Sequence, residues 1–580
     1  MGARGILSDK VVGWLAPSLP LPEPYRSTAF KLSPALQLGI ALMLNILSMA
    51  VPILMLQVYD RIIPRQAYGT LFLLMSGVLV ALVIDAFLRM ARAYLMGWTA
   101  ASHEHASHCA GLDRMTRASM PEYEASRVGT HLQRFNSFSK LREFSSGQML
   151  TALVDLPFVG VFMLLIAYLG GILVLVPIIL LGVFAIFSQA AGAWLKAAIE
   201  ARGRADDRKA SFVISILNGI HTVKALGMES LLLRLFEGKQ NFITRGSYQV
   251  AQSSGFASTL SSAFSQLSLI LTVTVGSLLV LNGSLSVGGL SACTLLAGRA
   301  LQPVQRVLGT WLRMQDFQVA GEHAEDLLTM PAQDRSEHPL PQPEGRVSAR
   351  HAGFAYKYGL SFLQDVTFEV AQGEVIAISG DKGSGKSTLL QMMAGLLAPG
   401  QGILRVDGFD PSLYSMSDLK KHIGYLPQQS TIFKGTILEN ITGFANDEKS
   451  IEEAKAAGRD LGLDQIVDLL PAGYETMLAD NAADPVPPGV KQRIALARVF
   501  RHKPAILLFD DADRALDKEG YNRLFKIIGR MKGRTTLIMV SHDQNLMSFA
   551  DRFYHIHEGR LSETETGEVQ KLIMLARGAI

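Results

Sequence analysis

The chain has almost nothing from which to build a covalent or metal-held framework. Its 580 residues contain two cysteines, Cys109 and Cys293, far apart in sequence. That excludes a disulfide scaffold or a cysteine-rich metal site and fits a soluble portion facing a reducing compartment. HEHASHC at 103–109 has ligand-type residues, but their spacing fits no common metal site, so it reads as a solvated helix face. Charge is also scarce. Charged residues make up 18% of the chain, and 55 Lys+Arg against 51 Asp+Glu leave a net charge of +4. So small an excess argues against a nucleic-acid partner, which calls for a dense basic face. The N-terminal stretch has no apolar run with a small-residue cleavage site, so it is expected to stay on the mature protein.

What the chain has in quantity is apolar residues, 49% of the total, with a mean hydropathy of +0.23. Runs long enough to cross a bilayer, about 20 residues with few charges, lie near 35–58, 69–90, 148–169, 171–192, 258–281 and 286–307. The stretches 91–147 and 193–254 carry Arg92, Arg114, Arg127, Arg142, Lys196, Arg204, Lys209, Lys224 and Arg234, whereas the turns near 170 and 282 carry no charge. By the positive-inside bias the long stretches and both termini are cytoplasmic, and only the loop with Arg61 and Arg65 runs against it. Asp85 and Arg299 sit in apolar surroundings and read as snorkelling or structurally paired groups in preference to translocation residues.

MPAQDRSEHPLPQPEGR, residues 330–346, is proline-rich and reads as an extended connector. Beyond it, β-rich runs alternate with helical stretches, the pattern of an α/β domain. EVIAISGDKGSGKSTLL at 374–390 places a glycine loop between an apolar strand and a helix start, and matches G-x-x-x-x-G-K-[ST] at Gly380, Gly385, Lys386 and Ser387. Glycines let backbone N–H groups close around phosphate oxygens, and the helix N-terminus adds positive potential. Gly380, Gly383, Ser384, Gly385, Lys386, Ser387 and Thr388 are therefore the expected nucleotide cradle, with Ser387 a candidate Mg²⁺ ligand. At AILLFDDADRALD, 505–517, an apolar strand ends in Asp510, placed to orient Mg²⁺, and Asp511, placed to act on the attacking water.

These residues resemble the nucleotide-binding domain of ABC transporters. The resemblance adds YLPQQSTIFKGTILENI at 425–441, VSHD at 540–543 and FAYKY at 354–358. It implies that Gln428 senses Mg²⁺ and couples to the membrane part, that His542 contacts the γ-phosphate, and that Tyr356 stacks on adenine. Asp517 would sit in the loop between paired domains. PILMLQVYDRIIPRQAYGTL, LTALVDLPFVGVF and LAGRALQPVQRVLG look like the membrane domain of type I secretion ATPases, the haemolysin and metalloprotease exporters of Gram-negative bacteria. The shorter form, without an N-terminal peptidase-like domain, is expected.

The fold class implied is an all-α, six-helix transmembrane domain of ABC exporter type, followed by an α/β P-loop nucleotide-binding domain. The boundaries are a cytoplasmic segment 1–34, a membrane domain 35–329, a linker 330–346 and a nucleotide-binding domain 347–580. The resemblance further implies ATP and Mg²⁺ as cofactors and a second ABC subunit as partner. It also implies a periplasmic adaptor and outer-membrane channel, a polypeptide substrate, membrane lipids around the spans, and residence in the bacterial inner membrane.

One segment departs from the family. Where LSGGQ is usual, this chain has Val486, Pro487, Pro488, Gly489 and Val490. The family's serine and glycine reach the γ-phosphate held by the other subunit, and at that position Pro487, Pro488 and Gly489 supply no hydroxyl and two fewer N–H donors. At roughly 1.5–3 kcal/mol for each charge-assisted hydrogen bond, the clamp is weakened by several kcal/mol. Proline is tolerated at a first helical position, so the helix itself is expected to persist. Asp511 stands where glutamate is usual, one methylene shorter, and slow hydrolysis is expected. Three readings follow: a working polypeptide exporter, an ATP-binding but weakly hydrolysing regulatory or scaffold subunit of a heteromer, and an exporter of lipid or glycan.

Overall fold

A computed structural model describes residues 25, 34–145, 148–333, 344–356, 361–478 and 486–564. Most of the expected N-terminal segment and linker lie outside these. The chain divides into two compact units, one of residues 1–117 and 126–330, the other of residues 118–125 and 331–580.

The first unit is helical throughout its described length. Tyr68–Arg117 runs for 50 residues, Leu175–Asn218 for 44, Glu229–Leu281 for 53 and Val287–Leu328 for 42. At 1.5 Å per residue a 50-residue helix is about 75 Å long, more than twice a hydrocarbon core of about 30 Å. The apolar runs in the sequence therefore mark only the lipid-compatible part of each helix. Among the described residues four stretches are long and apolar enough to cross a membrane: Ala35–Arg65, Tyr68–Arg117, Val154–Phe187 and Glu229–Leu281. Val154–Phe187 contains parts of two expected spans, joined through a short 3₁₀ turn at Gly171–Val174 where Gly171 adopts φ 54°. The sixth expected span, 286–307, lies in Val287–Leu328, which carries Arg299 and Arg306 and is less uniformly apolar.

Phe72, Leu79, Val83 and Phe87 on Tyr68–Arg117 are largely exposed, as lipid-facing residues should be. Phe162, Ile166, Leu173, Cys293, Leu296 and Ala300 form a buried cluster within the bundle. The helix Val287–Leu328 is capped twice: Ser286 Oγ accepts from Gly289 N–H, and Asp60 accepts from Ser286 Oγ at 2.6 Å and Gly288 N–H at 2.9 Å. A carboxylate on these otherwise orphan donors complements the helix dipole.

In the second unit a three-stranded antiparallel sheet has the order β2-β1-β4, from β1 (Val347–Ala355), β2 (Ser361–Val370) and β4 (Gln401–Val406). The larger sheet has the order β11-β10-β3-β9-β8-β5. It comprises β3 (Val375–Gly380), β5 (Ile423–Leu426), β8 (Ile506–Asp510), β9 (Thr536–Val540), β10 (Arg552–His557) and β11 (Arg560–Thr564). All neighbours are parallel except β10 and β11. β8 and β9 are buried at every position, which explains their unbroken apolar sequences: a parallel strand covered on both faces has no solvent side to leave polar. A two-residue pair, β6 (Gly435–Thr436) with β7 (Met477–Leu478), completes the strands. The short helix Met120–Glu124 belongs to this unit although the sequence placed it among the extensions of the membrane domain. Ser119 N–H donates to Pro331 O at 3.0 Å, and Met120 packs on the sheet core.

Candidate nucleotide site

Parallel strands put their carboxyl ends on one edge, and in such sheets ligands bind beyond that edge. The phosphate loop follows β3, His542 follows β9, Asp510 and Asp511 close β8, and Gln428 follows β5. Strand order therefore brings together four motifs that are scattered over more than a hundred residues of sequence.

The loop requires glycine for a geometric reason at two positions. Gly380 has φ 148°, and a Cβ there would lie 2.5 Å from Ile556 O; Gly385, the residue before the helix Lys386–Met393, has φ 101°. Lys386 Nζ donates to Gly380 O at 2.6 Å and Asp381 O at 2.7 Å. Burial lowers its pKa from the ordinary lysine value, opposed by the charges of Asp511, Asp381 and Asp510. Asp381, Lys382, Gly383 and Ser387 are exposed, Gly385 and Thr388 buried. Ser384 Oγ is buried with no hydrogen-bond partner among the described residues.

Asp510 is 5% exposed. Burial raises its carboxyl pKa, and the adjacent Asp511 charge adds to the rise; hydrogen bonds from Ser387 and Tyr425, with the Lys386 charge, oppose it. A buried carboxylate bonded to a hydroxyl is an all-oxygen donor pair of the kind a hard divalent cation takes. Asp511 has φ 50°, a left-handed conformation that aspartate tolerates better than most residues, and its N–H donates to Val540 O at 2.8 Å. Its Oδ2 lies 3.1 Å from Arg514 Nη2 and 3.8 Å from His542 Nε2, while Oδ1 is buried without a partner among the described residues.

Arg514 is the residue that motif reading missed. It stands three positions after Asp511, and its guanidinium rests against the carboxylate expected to act on water. The i, i+3 spacing of opposite charges was the available signal. Gln428 is exposed in the turn after β5. Tyr356, at the end of β1, is half-buried and meets Phe354 edge-on at 5.0 Å between ring centroids.

The segment in place of LSGGQ lies elsewhere in this unit. Pro487 is the N-cap and Pro488 the first residue of the helix Pro488–Phe500, so the expected helix forms. The cap supplies no side-chain hydrogen bond, and Val490 N–H is already turned back onto Pro487 O at 3.0 Å. Gly489 is thus the first residue of this start able to donate a backbone N–H. Val486 and Val490 are 4% and 5% exposed and belong to the main core. The start of this helix borders Asp517: a Cβ on Gly489 would lie 3.3 Å from Asp517 N. Below it, Arg493, with 1% of its side chain exposed, makes an ion pair with Asp517, and Gln492 Nε2 donates to Ala512 O at 2.9 Å. Among the described residues no hydrogen bond or ion pair joins Pro487, Pro488 or Gly489 to the phosphate loop.

Residues 36–304 match the family described as ABC transporter transmembrane region, and residues 363–514 match ABC transporter. The chain is similar to the cyclolysin secretion/processing ATP-binding protein CyaB of Bordetella pertussis, 27% identical over 545 residues, 93% of this chain and 75% of that protein. It is also similar to the alpha-hemolysin translocation ATP-binding protein HlyB of Escherichia coli O157:H7, 26% identical over 531 residues, 91% of this chain and 75% of that one. A solved bacterial Atm1-family ABC exporter with ATP bound shares the fold, with a TM-score of 0.80, 20% identity, and coverage of 94% of this chain and 98% of the other.

Proposed function

This chain belongs to the ABC transporters, and from that premise we propose that it is the ATP-driven subunit of a type I secretion system, moving an unfolded polypeptide across the bacterial inner membrane. The observation that carries the reading is a phosphate cradle with its paired acids at the carboxyl edge of the sheet, in a chain that is similar to toxin-secretion ATP-binding proteins over 93% of its length.

In this reading Lys386 exchanges the carbonyls of Gly380 and Asp381 for the outer phosphates of ATP, while the amides from Gly383 to Thr388 close around the chain of phosphates. Ser387 and Asp510 would hold Mg²⁺, which would neutralise phosphate charge, and Gln428 would sense it. Tyr356 stacks on adenine. Asp511 orients the attacking water and His542 lies against the γ-phosphate. Pro487, Pro488 and Gly489 face the nucleotide of a second subunit, so the working form is a dimer of this chain or a pair with a homologue. A periplasmic adaptor and an outer-membrane channel continue the path.

A second reading, an ATP-binding but weakly hydrolysing subunit of a heteromeric exporter, is favoured by a specific observation: Arg514 neutralises Asp511 in the same chain whose signature position lacks its usual donors. ATP turnover by the purified chain, alone and with any co-purifying homologue, separates the two. Brisk turnover alone eliminates the regulatory reading, and turnover that appears only with a partner eliminates the self-sufficient exporter. Proteoliposomes that move lipid or glycan and no polypeptide would eliminate both.

A further inference from the structure

The helical unit contains a cavity of about 30 Å³ whose wall is dominated by arginine. Arg89 and Arg92 come from Tyr68–Arg117, Asp155 from Gln148–Gly170, and Arg299 and Arg306 from Val287–Leu328. Four arginines and one aspartate line it, and with Arg89 paired to Asp85 on its own helix two positive charges remain in excess.

That single carboxylate is already shared. Asp155, with 8% of its side chain exposed, lies 3.5 Å from Arg92 Nη1 and 3.0 Å from Arg306 Nη1. Arg89 turns back to Asp85 on its own helix, at 2.7 Å, which makes Asp85 the structurally paired group expected from the sequence. Arg299 differs from that expectation: among the described residues it has no acidic partner. It stands twelve residues into its helix, about 18 Å from the capped end, within the length of a span of about 30 Å counted from that end. An ionised group at that depth must face protein or water and find a counter-charge, and an unmatched one marks a functional site.

We infer that this cavity receives carboxylate groups of the polypeptide in transit, with Arg299 as the residue that takes them. The inference rests on the polypeptide reading proposed above. Size is compatible with a carboxylate: about 30 Å³ holds roughly two water-sized groups, and a carboxylate is two oxygens on one carbon. Shape supports it too, because a planar guanidinium fork matches a carboxylate with two parallel hydrogen bonds. Gln302 adds an amide to the same wall, as does Asn45, whose Nδ2 spends one of its two N–H groups on Ala41 O at 2.8 Å. Asp155 prevents the cavity from becoming a trap, since it competes for two of the four guanidinium groups.

The test uses the full chain in phosphatidylcholine nanodiscs and two unfolded fluorescent peptides, one rich in glutamate and one with glutamine in its place. The glutamate peptide should bind about tenfold more tightly, the difference expected for one charge-assisted contact. The difference should vanish in Arg299→Gln and persist in Arg299→Lys. Equal binding of both peptides to the wild type would overturn the cavity assignment while leaving polypeptide export standing. A preference that survives Arg299→Gln would overturn it as well. Binding of neither peptide would overturn both readings, and added phosphatidylglycerol bound in an Arg299-dependent way would assign the cavity to lipid phosphate. The wild-type peptide comparison needs no variant to fold.

Discussion

At the phosphate loop, Lys386 and Ser387 are held by hydrogen bonds within the unit and Asp510 by burial and hydrogen bonds, and Ser384 Oγ stands buried without a partner among the described residues. At the start of the helix Pro488–Phe500 the corresponding donors have been replaced by two prolines, and the valines on either side are sunk in the core. The fold is kept at both places, while the hydrogen-bonding groups are kept at only one of them, so a sequence can lose donors where packing alone holds the backbone.

Removing the retained groups should have the largest effect. Lys386→Ala is expected to weaken nucleotide binding by roughly a hundredfold, the loss of one or two charge-assisted hydrogen bonds, read by calorimetry with Mg·ATP. Unchanged heat would mean that the loop does not hold the phosphates. Next comes the support beneath the altered segment. Asp517→Ala leaves the buried Arg493 without its partner and should cost roughly 3 kcal/mol of stability, at the low end for a broken buried pair because Asp517 is half exposed. A denaturant midpoint equal to wild type would show that the pair does not hold the helix.

Repair of the altered segment should act on rate. Pro487→Ser with Pro488→Gly returns a hydroxyl and two amides, and turnover should rise about tenfold. Both valines are left in place, because a glutamine at position 490 would put an amide into the core. Flat turnover would indicate that another contact already does this work. Arg514→Ser frees Asp511 from its guanidinium and should raise turnover a few-fold; a fall would recast Arg514 as a phosphate ligand.

The smallest effect is a dependence on acid. Burial, aided by the charges of Arg501 and Lys420, pushes His502 down to about 4. At pH 7 it is neutral folded and unfolded; between pH 6.5 and about 4 the unfolded chain takes up a proton that the folded chain refuses. Stability is therefore full above 6.5 and falls on acidification by about 1–2 kcal/mol, less than the full shift implies because the half-buried ring is screened by solvent. His502→Asn should flatten that part of the melting curve, and a curve that overlays the wild type would count against the assignment.

The phosphate loop was legible because phosphate chemistry needs Gly380 to Thr388 contiguous in the chain. Asp510 and Asp511 were legible because a buried strand announces its end by the first charges after an apolar run. Helix length was not: the apolar signal stops near residue 90, yet the helix continues to Arg117, since an amphipathic helix in water continues without an apolar run. The role of Val486 and Val490 was hidden too, because the departure from the motif is felt at the prolines between them, while only packing makes the valines core residues.

From residue order alone came the membrane-spanning first half, the α/β second half, the nucleotide chemistry and the altered signature, because each depends on local composition or on neighbours in the chain. Only tertiary structure decided that Arg514 lies on Asp511, that Asp517 balances the buried Arg493, and that arginines from two helices more than two hundred positions apart share one carboxylate on a third. Coulomb attraction and the cost of leaving a charge unmatched act through space, so what they select becomes visible only when helices and strands have brought those charges within a few ångströms.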